Sequence, residues 1–401
     1  MHSPDTSDPF HALFTSLERA VADGVFPGCV ALCWCDGATL YHEAHGMLAS
    51  DPEVPEHARA VTRETVYDLA SLTKVLATTS LTAMAVAEGL VSLTTPVPAP
   101  WSQACPGATL EHLLDHSAGL KAHHEYFADL AAIDRPWPGQ AREVMTLVSQ
   151  TPPEYPLGSK AVYSDLGMMI LGSWLEQIYG MPLDTLFENR VAWALGLHEG
   201  VVPRLGYHRL NRGGARGPSH AQRGWVAPTE VYNHAAAARG EPVPTWYAVR
   251  QKSAYAHYEV HDDKALVMGG VAGHAGLFGD AEAVLEVAIA WLRSTLPGLD
   301  RATCDRFWRR SKVPGSTRCL GWDATPADGS GSTGEALSSR AIGHLGYTGT
   351  SLWIDPGATP HSPPRIFVLL TNRVHPTRDN NQIVRYRPVF HQLAAQLSSA
   401  S

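Results

Sequence analysis

Long apolar runs are missing from this sequence, and none approaches the roughly 20 residues that a helix needs to span a bilayer. A membrane partner is therefore not expected. Met1–Phe10 lacks a positively charged start with an apolar core behind it, so neither an export signal nor a lipid anchor is visible and a cytoplasmic protein is the default. Basic excess is missing as well: 31 Lys and Arg stand against 39 Asp and Glu, and a net charge of −8 excludes a surface built to hold nucleic acid. Cysteine is scarce, with six in 401 residues. Cys29, Cys33 and Cys35 fall on one face of an extended run, where buried free thiols are expected; a metal cluster would need ligands wrapped around an ion instead of lined along a strand. The 20 histidines include no H-E-x-x-H, and His123-His124, His257 and His261 have no obvious set of carboxylate or cysteine partners. No metal or other cofactor is called for.

What is present is periodic and globular. Only 17% of residues are charged and 44% are apolar, enough for a large core. Phe10 to Asp23 carries apolar residues at Leu13, Phe14, Leu17, Ala20 and Val21, the spacing of an amphipathic helix, and Gly24 closes it. Cys29–Cys35 and Ala38–His45 read as strands around an Asp36-Gly37 turn. Ser351–Asp355 and Arg365–Thr371 read as strands at the far end, before a helix from about Gln382 to Leu397. Between them come helices over Leu72–Glu88, Leu110–His116, Arg142–Ser149, Leu166–Tyr179 and Leu183–Trp193. The pattern predicts an α+β fold: residues 1–70 and 270–401 form a discontinuous antiparallel sheet flanked by helices, and residues 71–269 form a mostly helical insertion. A cleft between two such units is the usual place for a small molecule.

Two stretches stand apart. Val201 to Thr229 has no acidic residue but holds Arg204, Arg209, Arg212, Arg216 and Arg223, either a solvated loop or a basic rim for a carboxylated substrate. Glu230 to Glu259 is rich in aromatics, with Trp246, Tyr247, Tyr255 and Tyr258, and is read as part of a lid or wall.

The chemistry-bearing segment is Asp68-Leu69-Ala70-Ser71-Leu72-Thr73-Lys74. Three residues of helical spacing put Ser71 and Lys74 on one face, where a desolvated lysine can take the proton of an otherwise weak nucleophile. The helix start also leaves the Ser71 N–H free for an oxyanion. Tyr163-Ser164-Asp165 precedes another helix; a phenol beside a lysine ammonium is held partly toward phenolate, which suits Tyr163 to proton transfer, and Asp165 would orient the lysine. The alternative is that Tyr163 packs and Asp165 caps the helix. In Gly343-His344-Leu345-Gly346-Tyr347-Thr348-Gly349-Thr350-Ser351, glycines allow close backbone approach and the Tyr347 N–H offers a second oxyanion donor. His274, among glycines in Gly273-His274-Ala275-Gly276, either lines the substrate site or is a buried, satisfied histidine.

In this order the three elements resemble the serine β-lactamase and penicillin-binding-protein superfamily, in its class C-like branch with esterases, D-aminopeptidases and muropeptide amidases. The likeness runs from Phe26-Pro27-Gly28 through Thr109–Leu120 to Leu370-Thr371-Asn372-Arg373. The resemblance implies a β-lactamase/transpeptidase-like fold with Ser71 as nucleophile and Lys74 and Tyr163 as the proton-transfer pair. Asp165 takes the third position of Y-x-N and His344 the lysine position of K-T-G. Gly346 and Thr348 join Asp165, His274 and His344 as substrate-binding candidates, although Tyr347-Thr348-Gly349 imitates K-T-G three residues on. The departures carry consequences: Asp165 adds a negative charge beside Lys74, and His344 removes the fixed cation that binds a β-lactam carboxylate. Efficient penicillin hydrolysis is not expected. The function implied is a serine hydrolase cleaving small esters or amides, of D-amino-acid or muramyl-peptide type, through a Ser71 acyl-enzyme. The alternatives are a penicillin-binding-like sensor with little turnover and an acyltransferase using the same acyl-enzyme. The small-molecule substrate is the one partner implied, and the sequence does not fix an oligomeric state.

Overall fold

A computed structural model describes residues 8–126, 140–199, 202–210, 225–231, 255–326, 328–359 and 361–398. Its first helix, α1 (Pro9–Ala22), begins where the Asp8 side chain accepts from the Phe10 amide and buries Leu13, Leu17 and Ala20. Strands β1 (Gly28–Cys35) and β2 (Ala38–Gly46) form the expected hairpin. β1 is buried on both faces: Val30, Leu32 and Trp34 enter the large core, while Cys29, Ala31 and Cys33 enter a smaller one. That double burial explains its nearly unbroken apolar sequence. All six cysteines are free thiols, and burial pushes the Cys29 and Cys33 thiols well up.

The sheet is completed from the far end of the chain. Strands β6 (Asp323–Ala324), β7 (Ile342–Leu345), β8 (Ser351–Asp355) and β9 (Arg365–Thr371) join it in the order β2-β1-β9-β8-β7-β6, every neighbour antiparallel. Trp353, Phe367 and Leu369 point into the smaller core with α1 and the last helix, α10 (Ile383–Leu397). The opposite face packs on the large core.

That core holds α2 (Ser80–Ala87), α3 (Leu110–Leu114), α4 (Ala141–Gln150), α5 (Asp165–Tyr179) and α6 (Leu183–Phe187). The helix expected over Leu72–Glu88 is not uniform. Lys74–Thr79 is a π-helical turn ahead of α2, and the Ser80 hydroxyl reaches back to the Val75 carbonyl at 3.0 Å. A side chain inserted into the backbone ladder widens the turn in this way. Leu183–Trp193 likewise divides into α6 and a π-helical turn, Glu188–Ala192. A short second sheet, in the order β3 (Tyr67–Asp68), β5 (Leu277–Gly279), β4 (Leu205–Tyr207), carries the chain to Ser71. Between β4 and β5 lies α7 (Asp263–Val267); α8 (Ala281–Arg293) and α9 (Arg301–Phe307) follow, with Asp280 and Asp300 as their N-caps.

Candidate active site

Ser71 follows a strained backbone. Ala70 has φ +47°, a left-handed conformation that a residue with a Cβ avoids unless its surroundings impose it. The constraint here is Asp68, fully buried, whose carboxylate accepts from the Ala70 amide at 2.8 Å and from the His261 amide at 2.6 Å. The reversal sets Ser71 at the head of the turn that buries Lys74.

Lys74 Nζ has three acceptors for its three protons: Ser71 Oγ at 2.9 Å, the His274 carbonyl at 3.0 Å and Asp165 Oδ1 at 2.9 Å. It also lies 4.9 Å from the centre of the Tyr163 ring. Burial pushes the Lys74 pKa down, but Asp165 and Tyr163 together more than reverse this, and the net shift is upward. Tyr163 departs from the sequence-based expectation of partial phenolate character. Burial raises its pKa by more than the Lys74 charge and the hydrogen bonds with Lys74 and Ser71 lower it, so the resting pair is ammonium and neutral phenol.

The rings around Tyr163 are uncharged. His116 and His344 lie 5.0 and 5.6 Å from it between centres, and the Arg318 guanidinium 5.0 Å above it. Burial, then Arg318, holds His116 well below its ordinary range, while burial, then Lys74, brings His344 down to about 3. His344 Nδ1 donates to the Leu345 carbonyl at 2.9 Å. A neutral imidazole at this position supplies no fixed cation.

Asp165 begins α5 behind the Ser164 cap, so it faces Lys74 while its partner Tyr163 stays in the preceding loop. Its second oxygen pairs with Lys264 at 3.2 Å; Lys264 reaches Asp262 at 3.4 Å, and Asp262 accepts from His274 Nε2 at 2.8 Å. Burial opposes ionisation of Asp165, but Lys74, His274 and Lys264 hold its carboxyl well below the usual range. Asp165, Asp262 and His274 are close enough to share a metal ion. The cations that these carboxylates hold are the two lysine ammoniums. Lys264 is not among the residues singled out from the sequence, where nothing near it points to Asp165 as its partner. His274 is buried, with its carbonyl on Lys74 and its ring Nε2 on Asp262, while its Nδ1 has no hydrogen-bond partner among the described residues.

The β7–β8 turn is bolted to the nucleophile segment. Thr348 Oγ donates to the Asp68 carbonyl at 2.7 Å and Thr350 Oγ to the Leu69 carbonyl at 3.0 Å. Thr348 is 0% exposed, and its hydroxyl serves this attachment. At Gly346 an added Cβ would lie 1.9 Å from Thr350 Oγ and 2.7 Å from the Leu69 carbonyl, which explains the glycine. The Tyr347 side chain is 51% exposed, lies between Arg373 (4.3 Å) and the His261 ring (5.7 Å), and its carbonyl accepts from Arg373 Nε at 2.7 Å. Among the described residues, the Ser71 and Tyr347 amides donate to no acceptor.

The two outlying stretches resolve in part. Arg204 pairs with Asp280 and Glu282, and Arg209 with Asp184, so these two arginines of the proposed basic rim are already matched by acids. Arg212, Arg216 and Arg223 lie outside the described residues, as do Trp246 and Tyr247. Tyr255 donates to Glu56 at 2.8 Å, and Tyr258 is buried against His208.

Comparison with known proteins bears on the family and the fold. A family model described as Beta-lactamase matches residues 14–388. A protein of Salmonella agona (strain SL483) provisionally named D-alanyl-D-alanine carboxypeptidase is 31% identical over 365 residues, covering 83% of this chain and 77% of its own. A Salmonella typhi protein of the same provisional name is 31% identical over 344 residues, covering 78% and 75%. Among solved structures, EstCE1, a hydrolase with promiscuous acyltransferase activity, superposes with TM-score 0.67 at 20% identity over 95% of this chain and 98% of its own. A simvastatin synthase mutant from Aspergillus terreus superposes with TM-score 0.69 at 16% identity, covering 98% and 96%. No described helix is long and apolar enough to cross a membrane.

Proposed function

The chain belongs to the beta-lactamase family and is a serine hydrolase, and from that premise we propose that Ser71 is its nucleophile. The single observation that carries this reading is the 2.9 Å contact between Lys74 Nζ and Ser71 Oγ, made by a lysine that is wholly buried.

The substrate enters between the 1–70/270–401 unit and the 71–269 unit. Ser71 Oγ attacks its carbonyl carbon, the C=O π pair moves to oxygen, and the oxyanion is held by the amides of Ser71 and Tyr347. With Lys74 an ammonium and Tyr163 a neutral phenol at rest, the pair must first release one proton to solvent. It then takes the Ser71 proton and delivers it to the leaving oxygen or nitrogen as the tetrahedral intermediate collapses. Water repeats the sequence on the acyl-enzyme and frees the acid. Asp165 orients Lys74, and His344 and Gly346 border the reacting carbonyl.

Small esters and amides are the substrates proposed, with D-alanyl amides among them because the Salmonella relatives bear the carboxypeptidase name. Acyl transfer to an alcohol or amine is a second reading, supported by the hydrolase and the synthase that share the fold. Intact-mass and peptide mapping after a fluorophosphonate probe is the test: one adduct on Ser71, absent from Ser71→Ala, is expected. Retained turnover in Ser71→Ala overturns the assignment. Rates on p-nitrophenyl butyrate and D-alanyl p-nitroanilide, with and without added alcohol, then separate the substrate classes.

A further inference from the structure

Arg387, on α10, lies behind the turn that carries the Tyr347 amide. It is 7% exposed, and one of its guanidinium nitrogens donates to the Gly346 carbonyl at 2.7 Å and to the Thr350 carbonyl at 2.9 Å. No carboxylate pairs with it among the described residues. An unpaired buried cation is costly, and here its compensation is a set of main-chain carbonyls. Those carbonyls are not arbitrary. The Gly346 C=O and the Tyr347 N–H are the two ends of one peptide group.

We propose that Arg387 is a positioning residue for the oxyanion, acting through the 346–347 peptide bond: its guanidinium polarises the Gly346 carbonyl and so strengthens the Tyr347 N–H as a donor. The inference rests on the reading above that this amide holds the oxyanion. A charge-assisted bond to one end of a peptide draws electron density toward that end and leaves the N–H more positive, the cooperativity expected of chained hydrogen bonds in a low-dielectric interior. The same nitrogen ties Gly346 to Thr350, and the Gly346 amide donates to the Thr350 carbonyl at 2.8 Å, so the peptide plane is fixed as well as polarised. Arg373 adds a second guanidinium on the next carbonyl, that of Tyr347. Burial, then Arg373, brings the Arg387 pKa down to about 9, which still leaves the charge in place at neutral pH. The site thus places positive charge behind the backbone, where the neutral His344 provides none in front.

Arg387→Gln keeps a donor toward the carbonyl and removes the charge; Arg387→Lys keeps the charge. Each is compared with wild type for kcat and KM on p-nitrophenyl butyrate, for affinity toward a boronic acid that forms a tetrahedral anion on serine, and for thermal unfolding. The expected result for Arg387→Gln is a loss in kcat of roughly 10- to 100-fold, a matching loss of boronate affinity and little change in KM, since weakening an oxyanion donor acts on the transition state alone. Arg387→Lys recovers most of both. Unchanged kcat and boronate affinity in a folded Arg387→Gln overturn the proposal, as does a rise in KM without loss of kcat. Should Arg387→Gln not fold, Arg387→Lys decides: kcat within about threefold of wild type supports the charge role, and a loss as large as that expected for Arg387→Gln overturns it. Fluorophosphonate labelling of wild-type Ser71 separates the two levels, because its absence removes the underlying reading and its presence leaves the test to Arg387 alone.

Discussion

The Lys264 ammonium lies 3.2 Å from Asp165, the carboxylate that also holds Lys74 at 2.9 Å. A carboxylate shared between two lysines exerts less of its field on either one. Lys264 therefore offsets the charge that Asp165 adds beside Lys74. Removing it in Lys264→Met leaves Asp165 to stabilise the Lys74 ammonium alone and raises the Lys74 pKa further. The acid limb of kcat/KM should move to higher pH, with activity at pH 7 falling about tenfold per unit of displacement. Asp165→Asn should move the limb the opposite way. A pH–rate profile of the three proteins checks the order.

Both members of the proton-transfer pair have raised pKa values, and one proton must leave before Ser71 can be deprotonated. The protonated, inactive form therefore predominates below the coupled pKa of the pair. From neutral pH upward, kcat/KM on an ester whose own hydrolysis is subtracted should rise by about tenfold per pH unit until the pair titrates. A flat profile between pH 6 and about 9 contradicts this assignment of resting charges.

Gly346→Ala drives a methyl group into Thr350 Oγ and the Leu69 carbonyl. The turn must shift, and with it the Tyr347 amide. We expect a fall in kcat of about 100-fold, the scale of losing one oxyanion donor, together with a lower melting temperature. Steady-state kinetics on the folded fraction measures it.

Glu230 is buried and pairs with Arg378 at 2.5 Å, and Arg378 also reaches Asp263 at 3.0 Å. Burial resists ionisation of Glu230, but His261 and Arg378 hold its carboxyl below the usual range. A depressed carboxylate stabilises the fold above its unfolded pKa, near 4.3, and loses that contribution as pH falls through the folded value. Glu230→Gln removes one of the two carboxylates that hold Arg378, leaving Asp263, and should cost about 1–3 kcal/mol at pH 7. In urea titrations the gap between variant and wild type should shrink below about pH 4.

The elements legible in the sequence are those whose evidence is local. Ser71 and Lys74 meet because three residues of helical turn bring them together whatever the rest of the chain does. β1, β2, β8 and β9 announce themselves by turn residues and apolar content. The register of K-T-G was open in the sequence and is a matter of pairing: His344 pairs with Leu352 inside the sheet, and Thr348 lies in the turn beyond. Lys264 and Arg387 were illegible because nothing near them in sequence hints at their partners. Tyr163 shows a further limit, since its protonation depends on the competition between burial and a neighbouring charge, and only the folded surroundings set the two magnitudes.

Strand β9, Arg365–Thr371, sits in the middle of the sheet, between a strand from the beginning of the chain and one that immediately precedes it. During synthesis the serine, lysine and tyrosine all emerge from the ribosome before this central plank exists, so the hairpin at Gly28–Gly46 must wait with an open edge. A chain cut short of Arg365 would therefore lack the strand that joins the two ends of the sheet.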